Sequence, residues 1–391
     1  MEMISFTVGH LPQTYFAKGA IATLPKHTRH FGTHVLLVTG SQSLEKSGRL
    51  NDIVAMLGNE GIHIERVAVS GEPSPQLVDD AVKECTGKHI DVVVSIGGGS
   101  VIDAGKAISA MIPVDGSVTD YLEIVGTKQH SGIKIPFIAV PTTAGTGSEA
   151  TKNAVLSKTG KNGFKRSLRH DNFVPNIAII DPELMLGCPS GVTAASGLDA
   201  LTQLIESYVS THANPFTDAL AESGIAKIGH SLLPLYIHHE DTVIHRANMA
   251  YGAFISGITL AHAGLGVVHG LASPLGALFN IPHGVACGTL LALATKATIK
   301  KLQALGDSYY IKKYAAISEL LTGYKSTSEQ EACNKLIATL EEWVNILHIP
   351  RLSEYGVREV DFAAIIKDGS NKNNPAPLNE QEIMLMLQER L

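Results

Sequence analysis

The residues best equipped for chemistry lie in the second half of the chain. His269 and His283 stand fourteen residues apart in GLGVVHGLASPLGALFNIPH, which runs from Gly264 to His283. Apolar and small residues surround both, and an imidazole buried in such a run needs a partner. A backbone carbonyl would satisfy a single ring of this kind. A carboxylate upstream offers another solution. In SGLDALTQLIE, Ser196 to Glu206, Asp199 and Gln203 are i and i+4 and share one helix face. Asp199 either caps the start of its helix or sits buried, where a carboxylate needs a cation or several donors. Asp199, His269 and His283 together form a carboxylate–imidazole set suited to a divalent metal. Ser273, one helical turn after His269, faces the same space.

A second group of residues is suited to phosphate. SIGGGS, Ser95 to Ser100, lies between an apolar strand-like run and a helix-like one. Gly97, Gly98 and Gly99 permit close approach of a ligand and positive φ. The next helix would aim free N–H groups and a partial positive charge at that ligand. A plain tight turn is the competing explanation. The spacing is not the G-x-G-x-x-G fingerprint, because Ile102 occupies the third glycine position. PTTAGTGSE, Pro141 to Glu149, again puts hydroxyls and glycines after a strand, although Thr146 or Ser148 would also serve as a helix cap. At the first strand end, Gly40 and Ser41 stand where an acid would bind the adenosine ribose and exclude NADP, which favours NADP over NAD. Loops of this type at consecutive strand ends predict one extended ligand along the carboxyl edge of a sheet.

The elements that must position these residues follow from the periodicity. Strand-like runs at Thr33–Thr39, Ile62–Val69, Ile90–Ile96, Ile135–Val140 and Ile177–Ile180 alternate with helical stretches at Leu44–Leu57, Gln76–Thr86 and Val101–Met111. That alternation predicts a parallel α/β layer, Rossmann-like in kind. After Pro189 no β-rich run appears. Long amphipathic or apolar stretches instead predict an all-α second half. The expected division is residues 1–188 for an α/β nucleotide-binding domain and 189–391 for a helical metal and substrate domain.

Bulk properties bound the function. The chain has 391 residues and a formal charge of −6, with 37 acidic against 31 basic residues. No basic block suggests nucleic acid as a partner. The four cysteines are scattered without a C-x-x-C pair, which fits a reducing cytoplasm. The N-terminal residues carry no signal-peptide pattern. Ala247–Val268 is apolar enough to mimic a membrane span, but a buried helix of a bundle suits its small residues and His262 better.

These motifs, in this order, resemble the iron-containing, or group III, alcohol dehydrogenases. The resemblance rests on GGGSVIDAGK (Gly97–Lys106), PTTAGTGSE, IDPEL (Ile180–Leu184), GLDALTQLIESYVS and GLGVVHG…PLG…PHG, and it spans nearly the whole chain. It implies a dehydroquinate-synthase-like fold, an α/β domain followed by an all-α one, with NAD or NADP and a divalent metal, Fe2+ or Zn2+, in the cleft between. Carried over by motif, Asp199, His269 and His283 match metal-ligand positions. Gly97, Gly98, Gly99, Ser100, Asp103, Thr142, Thr143, Thr151, Asn153 and Lys165 match positions around the cofactor.

Two departures stand out. Gln203 occupies the family's usual fourth-ligand histidine position, where it would offer a weaker carbonyl oxygen. Ser273 replaces a histidine beside the nicotinamide. His262, seven residues before His269, is a candidate replacement for the proton path.

The implied activity is reversible oxidation of a small alcohol, or reduction of the aldehyde, and the resemblance suggests a homodimer. Three rivals remain at this level. One is a metal-independent reductase of similar fold, such as the maleylacetate reductases. A second is a nucleotide-binding relative that no longer catalyses. The third, a lyase like dehydroquinate synthase, would need more basic contacts in the helical half than the sequence offers.

Overall fold

The computed structural model describes residues 5–160, 163–237 and 240–391. Among them, six strands form one parallel sheet: β1 (Gln13–Phe16), β2 (His34–Gly40), β3 (His63–Val69), β4 (Val92–Gly97), β5 (Phe137–Pro141) and β8 (Ile177–Ile180). Their order across the sheet is β1-β8-β5-β4-β2-β3. The central strands read VVVSIG and FIAVP and are buried along their whole length. Helices on both faces produce that pattern in a parallel sheet. The chain leaves β2 toward β3 on one side and reaches β4 on the other. The crevice between β2 and β4 is therefore the switch point, where open α/β sheets bind ligands.

Two features escape the sequence periodicity. The edge strand β1 is short and half exposed. A separate antiparallel hairpin, β6 (Asn153–Lys158) with β7 (Phe164–Arg169), stands outside the main sheet. The expected helix over Leu44–Leu57 is two pieces, Ser43–Lys46 and Arg49–Gly58, because Gly48 takes a left-handed conformation at φ 75°.

After the short turn Pro182–Met185, only helices follow among the described residues, beginning with Ser190–Tyr208. That helix carries Asp199 and packs against Pro215–Gly229, Val243–Ala263 and His283–Leu305. Asp199 lies well inside it, so it is not a helix cap. No single helix among the described residues is long and apolar enough to cross a membrane. Val243–Ala263 and Val267–Phe279 pass that test only together, and they are bent by 103°.

The two halves meet backbone to backbone. A Cβ on Gly145 would stand 2.7 Å from Ser196 Cβ, and one on Gly257 would stand 2.2 Å from the Gly147 carbonyl oxygen. The glycines of PTTAGTGSE thus serve close packing of the halves. The buried ammonium of Lys106 fixes the end of the same loop. Its Nζ donates to the carbonyls of Ser148 (2.8 Å), Thr151 (2.9 Å) and Asn153 (2.8 Å) and to Thr151 Oγ1 (2.9 Å).

Glu149 in this loop is 3% exposed, and burial lifts its carboxyl from 4.5 to about 7. The folded state therefore binds more protons than the unfolded chain between those values. Stability should fall as pH rises through that window, by about 3 kcal/mol in all. Urea unfolding of Glu149→Gln is expected to lose this component of the slope and to exceed the parent in stability above pH 7.

Candidate active site

A cleft of about 370 Å³ lies between the halves. The α/β side contributes Gly99, Ser100, Asp103, Thr146, Thr151, Asn153 and Lys165. The helical side contributes Gln203, Leu260, Leu265, His269, Ser273 and His283. The sequence motifs thus converge from six separate segments.

The strand edge that the sequence motifs mark for a nucleotide is built by adjacent strands. Thr39 of β2 pairs with Ile96 of β4, and Gly97 pairs with Pro141 of β5. Gly40, Gly97 and Thr142 therefore follow one another along the carboxyl edge, with Thr142 N donating to the Gly97 carbonyl at 2.9 Å. Gly97 to Gly99 do not take positive φ, contrary to expectation. They are needed for space: a Cβ on Gly97 would lie 2.6 Å from Val101, one on Gly98 3.2 Å from Thr143 Oγ1, and one on Gly99 2.5 Å from Thr146. The helix Gly99–Met111 has no side-chain cap, so its first N–H groups are left for an anion.

Asp103, on the first turns of that helix, is buried and lines the cleft. Its Oδ2 accepts from Val155 N at 3.0 Å, while Oδ1 has no partner. Burial pushes its pKa up. An unpartnered buried acceptor fits a ligand that brings an N–H or O–H donor.

Lys165, on the hairpin, donates to Glu72 Oε1 at 2.5 Å, and Glu72 Oε2 accepts from Ser157 Oγ at 2.6 Å. Burial opposes ionisation of Glu72, but Lys165 outweighs it and holds that carboxyl below its ordinary value. Lys165 thus reaches the cleft already paired.

Across the cleft, Asp199 Oδ1 stands 3.3 Å from His269 Nε2 and 3.7 Å from His283 Nε2. The two imidazoles meet edge to face with centroids 5.4 Å apart. Asp199 Oδ1 is buried with no hydrogen-bond partner. Burial opposes its charge, yet the two imidazoles keep its pKa below the usual value. Burial pushes His283 down to about 4, leaving a neutral ring. This is the donor set a divalent cation requires, and the orphaned oxygen fits its presence.

Glu206 completes the support. Its Oε2 accepts from His269 Nδ1 at 2.7 Å, and its Oε1 accepts from Val268 N at 2.7 Å. A carboxylate on Nδ1 fixes the tautomer that leaves Nε2 free for a metal. Replacing Glu206 by Gln keeps the shape and removes the charge. Metal affinity is expected to fall about tenfold to a hundredfold, measured by competition with a chromophoric chelator.

One expectation is corrected. His262 does not face this cleft. Its Nε2 accepts from Gly9 N at 2.9 Å and its Nδ1 donates to the Ile258 carbonyl at 2.7 Å. The 103° bend after Ala263 turns it away from His269, so the seven-residue spacing does not put the rings on one face. Gln203 lines the cleft, and its Oε1 accepts from Ser256 Oγ at 2.5 Å with one of its two lone pairs. Ser273 lines the cleft as expected.

The sequence reasoning also missed Cys287. Among the described residues, ligand atoms of Asp199, His269, His283 and Cys287 all lie within 4.8 Å of one another. The signal was available, since Cys287 follows His283 by one helical turn. Glu206 likewise follows Asp199 by two turns.

A glycine-lined strand edge facing a carboxylate–imidazole cluster across the cleft between the halves fits a metal-assisted, nucleotide-dependent oxidoreductase. Comparison with known proteins narrows this to a family. The model of iron-containing alcohol dehydrogenases matches residues 12–182, and that of the Fe-containing alcohol dehydrogenase C-terminal region matches 193–391. The chain is similar to long-chain-alcohol dehydrogenase 1 of Geobacillus thermodenitrificans, 34% identical over 381 residues, covering 95% of this chain and 93% of that one. It is also similar to alcohol dehydrogenase 4 of Saccharomyces cerevisiae, at 31% identity over 385 residues, with 97% and 96% covered. A crystal structure of 1,3-propanediol oxidoreductase superposes with a TM-score of 0.87 at 32% identity and full coverage of both chains. The chain belongs to the iron-containing alcohol dehydrogenase family, and it is an NAD(P)-dependent oxidoreductase acting on CH–OH groups.

Proposed function

We propose that the chain interconverts small primary alcohols and their aldehydes with NADP in preference to NAD, assisted by Fe2+ or Zn2+. The carrying observation is the orphaned Asp199 Oδ1 between two imidazoles, facing the uncapped helix Gly99–Met111 across one cleft. Asp199, His269 and His283 would hold the metal, which when bound supplies a Lewis acid to the substrate oxygen, while the nicotinamide supplies or accepts the hydride.

The chain's own residues do the positioning. The first N–H groups of Gly99–Met111, with Gly97 and Gly98, bind phosphate. Thr142 and Thr143 border them, and Gly40 and Ser41 leave room for a 2′-phosphate. Asp103 Oδ1 accepts a donor from the cofactor head, and Asn153, Thr151 and the paired Lys165 shape the wall beside it. Glu206 holds the His269 ring in register. With His262 committed elsewhere, the hydroxyl of Ser273 and water form the proton path. Leu260 and Leu265 give the substrate end an apolar lining suited to a short alkyl chain.

The division at 188/189 suits this scheme, since it separates the nucleotide edge from the ligand cluster. A homodimer is supported by the edge strand β1, which among the described residues pairs only with β8, and by the exposed Phe6, Val8, Leu11 and Phe16 beside it. The free cysteines suit a reducing cytoplasm. Initial rates of NADPH and NADH oxidation against a series of short aldehydes test the proposal. The expected result is turnover with a higher kcat/KM for NADPH. Absence of turnover with every aldehyde and alcohol would favour a non-catalytic nucleotide-binding protein instead.

A further inference from the structure

We propose that Cys287, and not Gln203, completes the metal site, binding the ion as a thiolate from the core side. The inference rests on the metal-dependent function proposed above and specifies its ligand set.

The spacing carries it. With bonds of about 2.0 Å to nitrogen and oxygen and about 2.3 Å to sulfur, a tetrahedral ion sets N and O ligands about 3.3 Å apart and S and N ligands about 3.6 Å apart. Asp199 Oδ1 stands 3.3 Å from His269 Nε2, and Cys287 Sγ stands 3.6 Å from the same nitrogen. The corresponding distances to His283 Nε2 are 3.7 and 3.9 Å, a few tenths longer. Four of the six ligand separations thus lie near those of a tetrahedral site, and all six lie within 4.8 Å. Helix geometry maintains this, because His283 opens the helix His283–Leu305 and Cys287 lies one turn later on the same face.

A buried cysteine is usually a small apolar filler. Cys287 does border an apolar cluster with Val268 and Leu290. Its sulfur, however, has both imidazoles as polar neighbours, and filler does not require that. The Gln203 oxygen already spends one of its two lone pairs on Ser256 Oγ.

The position of the thiol has a consequence for substrate. Cys287 is fully buried, while His269, His283 and Gln203 line the cleft. With the sulfur on the core side, an alcohol oxygen would join from the cleft side as a fifth ligand, with Gln203 beside that position. On binding, the metal–sulfur bond forms and the thiol proton leaves to solvent. The Asp199 carboxylate and the Cys287 thiolate together neutralise a divalent ion. A thiolate also shifts selectivity toward the softer Zn2+ over Fe2+.

Cobalt provides a readout independent of turnover, because thiolate ligation gives Co2+ an intense near-ultraviolet charge-transfer band that nitrogen and oxygen ligands do not. The full chain, stripped of metal, is titrated with Co2+ and followed by absorption. The expected result is a band that saturates at one equivalent. It should be absent in Cys287→Ser, whose Co2+ affinity should also drop at least about a hundredfold, and retained in Gln203→Ala. Stoichiometric binding without the band in the parent protein would overturn the Cys287 assignment while leaving the metal-dependent function intact. So would loss of binding in Gln203→Ala with undiminished affinity in Cys287→Ser. Failure to bind Co2+ at all would overturn both.

Discussion

Asp199→Ala is expected to abolish metal binding and to lower kcat/KM by at least roughly a thousandfold, or about 4 kcal/mol of transition-state stabilisation. Asp199 Oδ1 lies 3.3 and 3.7 Å from the two imidazole Nε2 atoms. Without it, His269 and His283 face each other with no anion between them. The stability of the fold should respond differently. Asp199 is buried and Oδ1 has no hydrogen-bond partner, so the apo protein gains little from the carboxylate. A metal at a thousand times its Kd stabilises a protein by about 4 kcal/mol. Thermal unfolding of the parent should therefore shift upward on metal addition. The variant should unfold near the apo temperature of the parent and show no such shift. A variant that still gained stability from one equivalent of metal would move the site elsewhere.

Gly40→Asp is expected to reverse cofactor preference. Gly40 ends β2, next to β4, which leads into the helix Gly99–Met111 proposed to receive the phosphates. Its φ is not positive, and an added Cβ would meet only Ser43 Oγ at 3.6 Å and Val101 at 3.9 Å, both ordinary contacts. The substitution should fold without strain. A carboxylate there would accept from a ribose 2′-hydroxyl and repel a 2′-phosphate. Affinity for NADPH should fall at least about tenfold, with NADH unchanged or tighter, as measured by fluorescence titration. Equal losses for both cofactors would mean that Gly40 serves the backbone of the loop and not the choice of cofactor.

The parts of the fold that were legible are those where local pattern and tertiary role agree. The buried strands β4 and β5 announce themselves as apolar runs because both their faces are covered. The hairpin β6–β7 does not, since NAVLSK and FKRSLR are half polar and pair with each other outside the main sheet. Motif positions brought Asp199, His269, His283, Ser273 and Asp103 to the cleft. The sequence did not reveal that Gly264, at φ 73°, ends one helix and starts a bend. His262 was therefore projected onto a face it does not share. Pairings between distant segments were equally hidden. The Glu72–Lys165 ion pair joins a loop to strand β7, and nothing in GEPSP marks Glu72 as its partner. Cys287 was overlooked for another reason. Cysteine spacing signals cysteine pairs, whereas this one neighbours histidines.

The most direct measurement of the central claim is NADPH-dependent aldehyde reduction by chelator-stripped protein, before and after titration with Zn2+ or Fe2+, with bound metal quantified in parallel. The account predicts that stripping removes nearly all activity and that it returns linearly to a plateau at one equivalent per chain. Full turnover by metal-free protein would contradict it, and would make the chain a metal-independent reductase built on the same fold.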